Sequence, residues 1–288
     1  MTAPLSKGCT LVLLLSMALA LAAGLIAWGP LALTANDHVF ADQRSVLGIA
    51  NALTALACLP LCAVCVWGLQ NLLNADWPSE LVRPWVAFFG FAFMMSASAA
   101  LYHLAPDNLG WAIGNTFAAA AFVQLLLGVL AERVDARFGS RHAVVAGIGL
   151  AVSAGIFWLA GDTLAGRGDL RGLLLLQALP ALLIPAGALG LPGRHTATRD
   201  WVAILAVYAG ARLAEQADAA VLAATQLVCG HALMHLLLAA GAAVLAYRAA
   251  PASAARRAAD SPSPLSSPQA AGLAVASQRQ TSLNTAGW

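Results

Sequence analysis

Charged side chains are scarce in this chain. Lys and Arg number 15 and Asp and Glu 13 in 288 residues, so 10% of the sequence is charged against 60% apolar, with a mean hydropathy of +0.78. A soluble domain carries roughly a quarter of its residues as charges, and this balance excludes one. Alternating apolar and polar residues over segments of about ten are also missing, which rules out a membrane β-barrel. With a net charge of +2 and no basic domain, nucleic acid is not an expected partner. Cysteines are few: Cys9, Cys58, Cys62, Cys65 and Cys229. Cys62-x-x-Cys65 has the spacing of a redox or metal pair, but no second such pair follows. Small thiols are ordinary packing residues inside apolar helices, and packing is the favoured reading here.

What the chain does have is long apolar runs. Crossing a bilayer as a helix takes about 20 residues. Eight stretches qualify, at about 11–33, 46–70, 84–105, 111–131, 143–160, 173–191, 200–217 and 221–247. The seventh is the weakest, because Arg212, Glu215 and Asp218 crowd its end. The expected fold is therefore an all-α, polytopic membrane helix bundle. Eight spans place Arg44, Arg167, Arg171 and Arg212 on one side and the other eleven of the 15 Lys and Arg on the side of the N-terminus. That asymmetry puts both termini in the cytoplasm. The first run also has an alternative reading as a cleaved signal peptide, since Lys7 precedes an apolar core with small residues from Ala18 to Gly24.

Residues 249–288 are rich in Ala, Ser and Pro, with Ser261-Pro262-Ser263-Pro264 and Ser267-Pro268, and lack apolar periodicity. They read as a disordered cytoplasmic tail. The domain plan is thus 1–33, an N-terminal segment with an extra transmembrane helix or signal peptide; 34–248, a seven-span core; and 249–288, the tail.

The most informative residues are His231 and His235, four apart inside the last apolar run. Residues at that spacing share a helix face, so both imidazoles can reach one metal ion. Histidines in a membrane interior are costly without a partner, and so they mark a functional site. Two ligands do not close a zinc site. The third candidate is His103, the only other histidine within an apolar run; His38, His142 and His195 fall in polar connections.

Three blocks in order carry a family resemblance. Phe40-Ala41-Asp42-Gln43-Arg44 through Leu47-Gly48-Ile49-Ala50-Asn51 resembles the opening of the bacterial branch of the alkaline ceramidase family, part of a superfamily of seven-helix membrane hydrolases and receptors. Tyr102-His103-Leu104-Ala105-Pro106-Asp107-Asn108 resembles the end of that branch's second core helix. Glu215-x-x-Asp218, followed by Gly230-His231 and His235-Leu236-Leu237-Leu238-Ala239-Ala240, resembles its last one. The likeness spans about residues 36–247. It implies a ceramidase-like seven-helix core, a zinc ion on His103, His231 and His235, a bacterial inner-membrane location and hydrolysis of a lipid amide such as ceramide. Three neutral imidazoles would leave a fourth tetrahedral position for a water acidified by the metal. The substrate, a membrane lipid, is the one partner that follows; no protein partner does.

The chain departs from the family where chemistry is done. The family's serine, four residues before the first zinc histidine, is replaced by Ala99, with Ser98 one position off. The aspartate expected after Trp111 is Ala112. Ser98 and Asp107 are the nearest groups left as catalytic candidates, and Tyr102 adjoins His103. Glu215 and Asp218 read either as an ion-pair cluster with Arg212 or as partners that orient the zinc histidines. Calcium, which eukaryotic relatives hold with acidic and amide groups, is not expected, because Asp37, Asp42 and Asn51 fall short of the six to eight oxygens it needs. Two other readings stay open: a hydrolytically silent relative that keeps zinc for structure and binds lipid, and a bis-histidine haem protein using His103 with His231 or His235.

Overall fold

The computed structural model describes residues 6–34 and 38–250. Asp37, residues 1–5 and all but the first two residues of the expected tail lie outside them. The described chain is almost entirely helical: α1 Lys7–Trp28, α2 Ala52–Ala57, α3 Leu59–Leu73, α4 Ser79–Leu104, α5 Asn108–Arg133, α6 Arg141–Ala165, α7 Arg171–Gly190, α8 Thr198–Gln216, α9 Asp218–Thr225 and α10 Gly230–Ala249. One two-stranded ribbon, β1 Ser45–Val46 with β2 Ile49–Ala50, precedes α2, turning through Leu47 and Gly48 at φ values of 52° and 81°.

Seven helical segments among the described residues are long and apolar enough to cross a membrane: α1, α2 with α3, α4, α5, α6, α7 and α10. Apolar residues stand exposed along their outer faces, as Val12, Leu15, Leu19 and Ile26 do on α1. These features suggest an integral membrane protein, a polytopic all-α bundle. The seventh expected span forms a helix, α8, but Arg199, Asp200, Arg212 and Glu215 keep it out of that apolar class.

Two expected spans are broken. In the run expected at 46–70, α2 and α3 meet at Cys58, because Pro60 has no N–H and its ring clashes with the carbonyl four residues back. In the run expected at 221–247, α9 ends at Gln226, at φ 55°, and α10 starts afresh from Cys229. A tertiary contact forces the second break. A Cβ on Gly230 would collide with the carbonyl of Ala214, so α10 enters flush against α8 only where a glycine stands. Asp218 completes the junction, its Oδ1 accepting from the His231 backbone N–H at 2.7 Å.

The core lies between α3, α4, α8 and α10, where Leu61, Leu72, Trp85, Phe89, Trp201 and Leu245 are almost fully buried. A second cluster joins α5 to α6 and α7 through Ala119, Ala151, Trp158 and Leu173. Helix α1 packs on α7, burying Thr10 and Leu14 against Gly190 and Gly187. α4 packs along both α3 and α5, and α10 along both α3 and α8. That arrangement brings the end of α4 to the start of α10.

Candidate metal centre

α4 ends at Leu104 because Ala105 precedes Pro106 and is drawn out of helical geometry, with φ −147° and ψ 80°. His103 therefore sits on the last turn of α4. Asn51, in a left-handed conformation, donates from Nδ2 to the His103 carbonyl at 3.0 Å and holds that turn in place. His231 and His235 lie on the first two turns of α10. The sequence pair and His103 do meet: ring centroids are 4.9 Å apart for His103 and His231, 5.2 Å for His103 and His235, and 5.2 Å for His231 and His235. Phe40 caps the cluster edge-on, 4.7 Å from His103 and 5.1 Å from His231.

Nε2 of His103 and Nε2 of His235 stand 3.0 Å apart. Two nitrogens held at about 2.0–2.1 Å by one tetrahedral ion would be about 3.3 Å apart, so small ring movements suffice to admit one. The two imidazoles are 1% and 5% exposed, and the Nδ1 of each has no hydrogen-bond partner. Each such orphaned group costs about 1–3 kcal/mol. A third donor converges on the pair: the Cys58 Sγ and one ring nitrogen each of His103 and His235 all lie within 4.8 Å of one another. This buried group could hold a metal ion.

The three histidines line a cavity of about 520 Å³ inside the bundle. Its walls are mostly apolar, with Phe88, Leu125, Ile184 and Leu238 among them. Its polar side chains include Tyr102, Asn115, Gln177, Tyr208, Arg212 and Glu215. Ala99 lines it as well. Ala112 does not: it is buried against α6, while its α5 neighbours Trp111, Gly114 and Asn115 are among the residues that face the cavity.

The two groups nearest the departures are engaged elsewhere. Asp107 caps α5, its Oδ1 accepting from Gly110 N–H at 2.6 Å, and Ser98 Oγ donates to the Met95 carbonyl one turn back at 2.9 Å. Neither lines the cavity. Glu215 pairs with Arg212 at the cavity wall. Asp218 bonds backbone groups, the N–H of His231 and that of Ala41, and not an imidazole ring.

A polar chain beside the centre joins Tyr102 and Asn108 to two residues that sequence reasoning assigned no role, His38 and Asp162. Asp162 accepts both bonds from Asn108 Nδ2, at 3.1 and 3.0 Å, which turns Asn108 Oδ1 toward His38 Nε2 at 2.7 Å. On its other side, His38 Nδ1 lies 2.7 Å from the Tyr102 hydroxyl, within hydrogen-bond distance. The leader is pinned close by. Asp42, 2% exposed, receives Arg44 Nε at 2.7 Å and a terminal guanidinium nitrogen at 2.8 Å, and that arginine also donates to the carbonyls of Gln226 and Leu227. The Arg44 bonds hold the Asp42 carboxyl below its ordinary pKa against the opposing effect of burial. No single-residue signal marks His38; only its contacts in the fold do.

Comparison of the chain with family models, with curated proteins and with solved structures finds no match.

Proposed function

We propose that this protein is a membrane-embedded, zinc-dependent hydrolase that cleaves the amide bond of a ceramide-like lipid. One observation carries the reading: three intramembrane imidazoles from α4 and α10 converge on the wall of a largely apolar cavity of about 520 Å³, a volume suited to a small ligand or part of a lipid chain. The sequence resemblance to alkaline ceramidases supports the same centre, with His103, His231 and His235 as zinc ligands. When bound, zinc supplies a Lewis acid and lowers the pKa of water.

The remaining work falls to the chain itself. Phe88, Leu125, Ile184 and Leu238 offer the hydrocarbon a dry surface, and Phe40 shields the imidazoles from the leader side. Glu215 is the one carboxylate on the cavity wall among the described residues, so it is the group suited to hold a proton and return it to the leaving amine. Arg212 pairs with it on the same wall. A bacterial inner membrane, with both ends of the chain in the cytoplasm, is the location that goes with this reading.

A second reading has its own observation. Ala99 stands on the cavity wall where the resemblance calls for a hydroxyl, and Ser98 is turned back onto its own helix. A zinc protein that binds lipid without turning it over would look the same. Detergent-purified protein separates the two through metal analysis and a fluorescent ceramide assay. The hydrolase reading expects about one zinc per chain and chelator-sensitive amine release that falls by about 10²-fold or more in Glu215→Gln. Zinc without turnover favours the silent relative, and a chain that takes up no zinc sinks both.

A further inference from the structure

We infer that Cys58 is a ligand of the metal centre, so that the ion is held by a thiolate as well as by imidazoles. The inference rests on the histidine centre proposed above and deepens it.

The observations begin with the chain break. Pro60 interrupts the hydrogen-bond ladder of the first core span, and Cys58 falls at the joint between α2 and α3. Ser96 Oγ donates to the Cys58 carbonyl at 2.6 Å. Ser96 precedes His103 by seven residues, two turns, and so lies on the same face of α4. The hydroxyl thereby ties the cysteine to the helix that carries the first histidine. The result is a convergence of three helical segments: Cys58 from the α2–α3 joint, His103 from α4 and His235 from α10, all buried, with ligand atoms within 4.8 Å.

Burial and hydrogen bonding separate this thiol from a packing cysteine. Cys58 is fully buried, and its thiol bonds only weakly, at 3.6 Å to the Thr54 carbonyl one turn back. The histidines it faces are themselves buried with an unpartnered nitrogen each. Such a cluster lacks the carboxylate or carbonyl partners that ordinarily satisfy core histidines, and a soft cation is the species its donors suit. Cys65, one to two turns further along α3, is as deeply buried but packs into the core with Phe89 and Leu61 and meets no histidine.

Cys58 does not line the cavity, whereas the three histidines do. The thiolate therefore approaches from the bundle side and leaves the cavity side to His231 and the substrate. On binding, the Cys58 S–H proton is released to solvent and its sulfur lone pair becomes the donor. Two consequences follow. A nitrogen and sulfur donor set selects zinc, cadmium or cobalt over magnesium, manganese or calcium. The added negative charge also makes the ion a weaker Lewis acid than three neutral imidazoles alone would.

The test uses the full chain in detergent. X-ray absorption of the zinc-loaded wild type should show a sulfur shell at about 2.3 Å together with nitrogen at about 2.0–2.1 Å. Replacement of zinc by cobalt(II) should give a thiolate-to-cobalt charge-transfer band in the near ultraviolet, lost in Cys58→Ser and kept in Cys62→Ser. Cys58→Ser should also weaken zinc binding by at least about tenfold, the loss that even an outer partner of a ligand causes. Wild-type absorption data need no variant, so a poorly folding Cys58→Ser does not blunt the test. A nitrogen-only shell with zinc bound overturns the cysteine and leaves the histidine centre standing. A band that survives in Cys58→Ser does the same, and a wild type that binds neither zinc nor cobalt overturns both.

Discussion

Ser96 on α4 donates its hydroxyl proton to the carbonyl of Cys58 at 2.6 Å, and both residues are fully buried. That carbonyl also accepts from the Leu61 N–H at 3.2 Å, so the hydroxyl is its second partner and ties the α2–α3 joint to α4. Ser96→Ala would remove one of the two bonds to that carbonyl in the bundle interior, at a cost of about 0.5–1.5 kcal/mol. A lower thermal midpoint in detergent, together with weaker zinc retention during dialysis, is the expected outcome. A variant with unchanged zinc retention would show that the α2–α3 joint holds its place without this bond.

The leader provides a pH-dependent prediction. Asp42 is held below its ordinary value of 3.8 by the Arg44 bonds. A carboxylate with a depressed folded pKa contributes stability that is present above the unfolded value and is lost as pH falls through the folded one. Wild type should therefore outlast Asp42→Asn in limited proteolysis after Arg44 at neutral pH, and the two should converge only in acid, below 3.8. Convergence already near pH 6 would point to a histidine, not to this ion pair, as the group that anchors the leader.

How much of this was legible in the sequence depended on the range of the forces involved. Helix existence follows from the length of each apolar run, a local property, and the bundle follows that reading. That His231 and His235 share a face was legible for the same reason, since i, i+4 spacing on one helix fixes it; His103, on another helix, carried only the signal of a histidine in an apolar run. The break at Cys58 carried a local signal in Pro60 that the apolar run masked. The break at Gln226 to Cys229 carried none, because Leu227, Val228 and Cys229 are as apolar as a continuing helix; its cause is the fit of Gly230 against Ala214. The nearness of Cys58 to His103 rests on a bond between residues 38 apart. The direction of Ala112 depends on how α5 is rotated, and counting from Trp111 does not reveal it.

Orientation can be checked directly. Lys7 Nζ donates to the Val134 carbonyl at 3.0 Å, Arg83 donates to the Gly139 carbonyl at 3.2 Å, and Arg248 pairs with Asp200 at 2.8 Å. The first two contacts join the start of α1, the start of α4 and the α5–α6 connection at one end of the bundle, while Arg44 lies with the metal centre at the other. Cation-rich connections stay cytoplasmic. Reporter fusions after Arg137 and after Ala249 should both read inside, with the metal centre in the outer half of the bilayer. An outside signal at either point would invert this orientation.

The last prediction separates two ways of supplying the groups that the proposed hydrolase reading expects. Ala99 lines the histidine cavity one turn before His103, so Ala99→Ser brings a hydroxyl to the wall where a developing oxyanion needs a donor. Removing one such donor costs about 10²–10³ in rate, and adding one should raise turnover of a fluorescent ceramide by up to about 10². Ala112 is 4% exposed and packs between α5 and α6, in contact range of neither the cavity nor the histidines. Ala112→Asp would bury a carboxylate without a partner, costing on the order of several kcal/mol unless it protonates. It should lower the melting point and add nothing to turnover, and the double variant should be no faster than Ala99→Ser alone. A gain from Ala112→Asp with unchanged stability would mean that α5 presents that position to the metal and that its rotation differs from the one described. Placing the acid at Gly114 is the better design, because that residue faces the cavity and a Cβ there meets only Ser98 Oγ, at an ordinary 3.6 Å.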